Sequence, residues 1–128
     1  MTITPAQRWD AKIAGYRATC KKMLELSPSI RYAGVINGLG RTLAGVVRPG
    51  VKPLLSPEQV KDEFFIMSTL ITLRKGPSAA VGALDYVVLR HKKATIVACQ
   101  RGDATYYISI NAKQKNIMKI ISGIRRLA

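Results

Sequence analysis

The sequence predicts a single α+β domain in the order α-β-β-α-β-β-β-α, a five-stranded antiparallel sheet with helices on both faces. Three observations carry that expectation. Apolar residues recur at helical spacing in three segments, around residues 9–23, 60–71 and 117–127. Five short runs are rich in β-branched and aromatic residues, and the turns within each group of them are too short for anything but antiparallel neighbours. The chain has 128 residues, 48% of them apolar, which suits one core and therefore one domain over residues 1–128.

The first helix is expected from about residue 5 to 26, an extended N-terminal helix with Trp9, Ile13, Tyr16, Cys20 and Met23 turned inward. Ser27-Pro28 stops it, because proline disfavours helical geometry in the residue before it. Residues 30–36 read as a strand. Asn37-Gly38 reads as the hairpin turn, since both residues tolerate positive φ, and residues 41–47 form the return strand. Pro49-Gly50 and Pro53 mark a loop. Ser56-Pro57-Glu58-Gln59 starts a helix: Ser56 caps it, Pro57 suits its first position, and Gln59 completes a capping box. That helix runs to Arg74-Lys75 and ends at Gly76-Pro77, with residues 77–82 as a loop. A meander of residues 84–90, 94–100 and 104–110 follows, and only one of Tyr106 and Tyr107 is expected to face inward. Asn111 is expected to cap a last helix over about residues 112–126, with Ile117, Ile120, Ile121, Ile124 and Leu127 buried.

The central helix carries more apolar surface than one sheet needs. Val60, Phe64, Met67 and Ile71 fall on one stripe, Ile66, Leu70 and Leu73 on a second, and Phe65 points in a third direction. Either a second copy of the chain covers the surplus, or the flanking segments 51–55 and 79–84 fold over it.

Catalytic and metal-ligating patterns are absent from the sequence. His91 is the sole histidine and sits in a predicted turn beside two lysines, away from any carboxylate that would orient it as a base. Two scattered cysteines and seven scattered acids make no ligand cluster, so no metal and no cofactor is expected. Gly38-Leu39-Gly40 is half of a dinucleotide fingerprint, but Leu43 stands where the third glycine belongs. Glu58, Asp62 and Glu63 suit the positive end of the central helix and form the only acidic patch, a docking spot for a basic partner. Cys20 and Cys99 read as reduced core residues. The start of the chain lacks a signal-peptide layout, and the longest apolar run is too short to span a bilayer, so the expected location is the cytoplasm.

The charge is lopsided: 21 Lys and Arg against 7 Asp and Glu, a net +14. Arg8, Lys12, Arg17, Lys21 and Lys22 on the first helix, with Lys113, Lys115, Lys119, Arg125 and Arg126 near the last, would make one basic surface if both helices cover the same sheet face. Such a surface binds phosphates without regard to sequence, and nucleic acid becomes a candidate partner. Aromatic residues are not interleaved with these cations, so the warrant is electrostatic only.

The element order, the Asn-Gly hairpin, the central helix and the three-stranded meander resemble the roadblock (dynein light-chain) superfamily, related to profilin-like and longin folds. The stretch Ile30-Arg31-Tyr32-Ala33-Gly34-Val35-Ile36-Asn37, with Gly45 and the run to Lys52-Pro53-Leu54-Leu55, is also similar to an uncharacterised archaeal family of roadblock-like proteins. The resemblance covers roughly residues 27–128. It implies a homodimer joined through the central helix and the strand after it, residues 58–75 and 84–90. In this sequence Phe65, Ile66, Leu70, Leu73, Tyr86 and Val88 are the residues so assigned. It implies a non-catalytic scaffold or regulator, a platform for small GTPases or an adaptor in larger assemblies. The strong positive charge departs from that pattern. Two readings follow: a dimeric scaffold, which accounts for the central helix, and a sequence-nonspecific nucleic-acid-associated protein, which accounts for the charge. A ligand sensor is a third reading with no residue of its own in its favour.

Overall fold

The computed structural model describes residues 2–128. Its elements are α1 (Pro5–Leu24), β1 (Ile30–Ile36), β2 (Thr42–Val47), α2 (Pro57–Leu73), α3 (Ser78–Val81), β3 (Tyr86–Arg90), β4 (Ala94–Arg101), β5 (Ala104–Asn111) and α4 (Ile117–Leu127). The strands form one antiparallel sheet in the order β2-β1-β5-β4-β3. The chain therefore closes by laying its last strand, β5, between its first hairpin and the β3–β4 pair.

Alternation along the strands builds two cores. Val35, Val97, Cys99, Tyr106 and Ile108 face α1 and α4, meeting Cys20, Met23, Ile120, Ile121 and Ile124. Ile36, Ile96, Ala98 and Tyr107 face α2, meeting Phe64, Met67 and Ile71. Both tyrosines of the pair 106–107 are thus buried, one on each face. The expectation of a single inward tyrosine fails because β5 is central and helices cover it on both sides, so it has no outward face.

Local chemistry sets the helix starts. Thr4 and Ser56 each accept a backbone N–H three residues on, while Gln7 and Gln59 reach back, completing two capping boxes. The last helix starts at Ile117, five residues later than expected. Asn111 does not cap it; its side chain accepts from Lys113 N–H in a local turn. The Gln114 amide is drawn away to Ser27 and Ser29 (3.3 and 3.0 Å), which holds residues 112–116 out of the helix. Residues 77–82, expected as loop, contain the one-turn α3, with the Ser78 hydroxyl donating to the Lys75 carbonyl at 2.7 Å.

The hairpin also differs in detail from its Asn-Gly expectation. Asn37 Oδ1 accepts from Leu39 and Arg41, and the positive φ falls on Gly40 at 81°. A Cβ on Gly40 would meet the Phe64 and Phe65 backbone at 2.9 Å, so this turn packs directly against α2.

Trp9, expected in the core, is 50% exposed. Only Cys20, Met23 and Leu24 of α1 are buried. A helix of 20 residues is about 30 Å long, whereas strands of 7 and 6 residues extend roughly 20–24 Å. The N-terminal part of α1 therefore has little sheet beneath it.

Arg48, just past β2, joins three elements. Its guanidinium donates to the carbonyls of Ile30 (2.6 Å), Ser27 (2.9 Å) and Leu24. The Leu24 carbonyl belongs to the last turn of α1, whose partial negative charge a cation stabilises. Hydrogen bonds to charged groups contribute about 1.5–3 kcal/mol each and are not additive. Arg48→Ala should cost about 2–4 kcal/mol in urea unfolding. Arg48→Lys should recover little of it, since one ammonium cannot span the three carbonyls as a planar fork does.

Cys20 and Cys99 are free and buried. Burial pushes the Cys20 thiol from its ordinary 9.0 up to about 11, against a smaller opposing pull from Arg17. Burial, with Cys20 adding to it, pushes the Tyr32 phenol from 10.0 to about 12. Both groups are neutral when protonated and raised on folding. The stability they contribute is complete below their unfolded values and is lost as pH rises through the folded ones. Burial raises Cys99, Tyr106 and Tyr107 in the same direction. Unfolding midpoints should therefore fall as pH rises above 9, and Cys20→Ala should lessen that fall while leaving the share of Cys99 and, above pH 10, of the three tyrosines.

Candidate functional site

Two surfaces stand out, one apolar and one cationic. The apolar one is the outer side of α2. The stripe that faces the sheet is sealed: Phe64, Met67 and Ile71 are buried and Val60 is half-buried. The second stripe is not. Ile66 is 58% exposed and Leu73 70%, while Leu70 is half-buried against the inner core; Phe65, in its own direction beside them, is 63% exposed. The flanking segments do not cover it. Leu84 packs on the inner core, and Leu54 and Leu55 lie towards Val60 and Phe64. Leu39 at the hairpin tip is exposed as well, next to Gly40, which abuts the α2 backbone at Phe64 and Phe65.

The strand after α2 forms one edge of the sheet, since β3 pairs only with β4. Tyr86 and Val88 are not on the α2 side of this strand. Tyr86 packs on the α1/α4 core, and Val88 pairs with Val97 of that same core, whereas Val87 and Leu89 face α2. The six residues assigned by resemblance are therefore divided: four on α2, two on the opposite sheet face beside the free edge.

The cationic surface lies over α1 and α4, which do cover the same sheet face. Arg8, Lys12, Lys21 and Lys22 are exposed on α1, and Lys119 and Arg126 on α4. Lys113 and Lys115 are exposed on the connection before α4 rather than on the helix. Arg17 reaches the Gly45 carbonyl at 3.4 Å. Arg125 is engaged: it binds Asp85 at 2.8 Å and lies 5.8 Å from the centre of the Tyr86 ring. Among the described residues that is the one ion pair, so the remaining cations of this layer have no carboxylate partner there. Residue spacing groups Arg125 with the free cations, because it does not reveal a contact across 40 positions.

Among the described residues no group of three or more His, Cys, Asp or Glu side chains could hold a metal ion, and no helix is long and apolar enough to cross a membrane.

The sheet order, with two helices on one face and one on the other, matches solved structures. The gliding protein MglB from Thermus thermophilus superposes with a TM-score of 0.68 at 12% identity, covering 92% of this chain and 91% of that one. The chain has the roadblock fold. A roadblock/LC7 domain from Streptomyces avermitilis aligns at 0.63 and 9% identity over 86% and 91% of the two chains. Profilin II of Acanthamoeba castellanii aligns at 0.57 and 13%, over 88% and 93%. No family model matches the sequence. No curated protein matches it. Identities this low carry the architecture and leave the function to the chain's own surfaces.

Proposed function

We infer that the protein is a non-catalytic homodimeric scaffold or regulator, joined through the outer side of α2 and the neighbouring edge of β3. The uncovered strip of Phe65, Ile66 and Leu73 carries this reading. Burying such side chains is worth about 1.5–3 kcal/mol each. Because these side chains are already about a third buried, a two-fold contact that seals the strip twice gains roughly 6–12 kcal/mol. Association costs about 4–15 kcal/mol, so the gain is of the size needed to hold a dimer. The open edge of β3 adds unpaired backbone donors and acceptors beside the same contact. The roadblock fold supports the further step, that the dimer is a platform for a small GTPase or another protein partner.

Light scattering should give twice the chain mass of 14.0 kDa. Ile66→Asp combined with Leu73→Asp should give a folded monomer with unchanged circular dichroism, because both positions are solvent-facing in one chain. A wild-type protein that runs as a monomer at tens of micromolar would remove the support for this reading.

The cationic layer over α1 and α4 favours a second reading, association with nucleic acid. Random-sequence DNA and RNA should then bind with an affinity that falls steeply with salt, log K against log[salt] having a slope near −0.9 per phosphate neutralised on duplex DNA. Lys12→Glu with Lys22→Glu should flatten that slope by about two units. Undetectable binding even at low salt would end the reading.

A further inference from the structure

The α2 side of the sheet contains a second feature, separate from the strip on the helix exterior. A cleft of about 510 Å³ lies between the sheet, the first turns of α2 and the loop that leads into it. Its walls are apolar, formed by Val47, Val51, Leu54, Leu55, Val60 and Phe64. Its floor includes Tyr32, Ile96 and Tyr107. The Tyr32 ring can lie flat there because Gly34 and Gly45 have no side chains; a Cβ on either would run into the phenol. Phe64 packs edge-on to Tyr107 with ring centres 4.9 Å apart, which fixes one wall against the floor. Val47 and Leu54, half or more exposed, line this space.

Charge is unevenly placed around the cleft. Arg31, His91 and Lys93 line it. The strand register puts these three at one end of the sheet: β5 pairs Ile30 with Ile110 and Asn111 with Ala94, so the start of β1 and the β3–β4 turn lie level. They are separated by two strand spacings, about 10 Å. None of the three forms an ion pair among the described residues. Arg31 is instead held by the Lys52 carbonyl at 2.6 Å, tethering the loop that makes the outer wall. Glu63 is the one carboxylate in the lining, and it lies against Tyr107, whose phenol is raised by burial first and by that carboxylate second.

We propose that this cleft binds a small amphipathic anion, its apolar body against Val60, Phe64 and Ile96 and its carboxylate or phosphate head at Arg31 and Lys93. The size is that of small-molecule sites, which range over about 300–1,000 Å³ with mainly apolar walls and few polar groups. A cation-lined end with an apolar interior selects for a head and a tail of opposite character. Glu63 repels an anion from its own part of the cleft and so fixes which way round the ligand lies. The site shares no side chain with the exposed strip Phe65, Ile66 and Leu73, and it stands whether or not the chain dimerises.

The test uses the aromatic sulfonate anilinonaphthalene sulfonate as a fluorescent probe on the full chain. One saturable site per chain is expected. Decanoate or decyl phosphate should displace the probe at concentrations at least tenfold below those needed for decanol, and the stronger of the two identifies the head group. Val60→Trp and Val47→Trp should fill the cleft and abolish probe binding. Val47 is exposed on an edge strand, so that variant tests the site even if Val60→Trp unfolds. Lys93→Glu should remove most of the preference of the anions over decanol. The proposal is overturned if decanol competes as well as decanoate, or if probe binding survives both filling variants. It is equally overturned if Ile66→Asp with Leu73→Asp abolishes the binding, which would put the probe on the outer side of α2.

Discussion

A five-stranded sheet has two apolar faces, and this chain has only three long helices with which to cover them. Two of them, α1 and α4, share one face and close it, so that Cys20, Ile121, Ile124, Val97 and Ile108 are all sealed from water. The other face has α2 alone. A single helix shields a band roughly 10 Å wide, while five strands at about 4.8 Å spacing extend to nearly 20 Å. Everything distinctive on the molecule's second side follows from that mismatch. Beside α2 the sheet is roofed by a loop rather than a helix, which leaves the cleft. The helix itself has no neighbour on its outer side, which leaves Phe65, Ile66 and Leu73 in solvent.

The same asymmetry separates the surfaces by character. The closed face presents α1 and α4 to water, and their outer sides are cationic. The open face presents apolar groups, with Arg31 and Lys93 gathered at one end of the cleft and Lys61 exposed on α2. Asp85 and Arg125 hold β3 to α4 at the sheet edge that borders both sides. A contact at the β3 edge would thus lie next to the last helix as well as to α2.

Several stabilising contacts are invisible to pattern reading. Arg48 stands in the sequence as one more positive charge, yet it is bound to three backbone carbonyls and fixes the end of α1 to the start of β1. Its carbonyl partners lie 18 to 24 residues away, and no local pattern links them. Gly40 is similar. A glycine after Asn-Gly-Leu reads as turn chemistry, but its second constraint is the α2 backbone that it touches. The shortened α4 has the same origin, because Gln114 is a good helix residue that binds Ser27 and Ser29 instead.

The sequence by itself determined the strands, the capping box at the start of α2, the sealed stripe of that helix and the surplus beyond it. These are properties of neighbours within a turn or a strand, where periodicity and capping act. Only the tertiary structure decided that α1 and α4 lie on one face, that Tyr86 and Val88 point away from α2, and that Arg31 and Lys93 stand at one end of an apolar cleft. Those outcomes depend on β5 entering between β1 and β4. That step joins parts of the chain dozens of residues apart, and its energy resides in long-range burial that no short window of sequence contains.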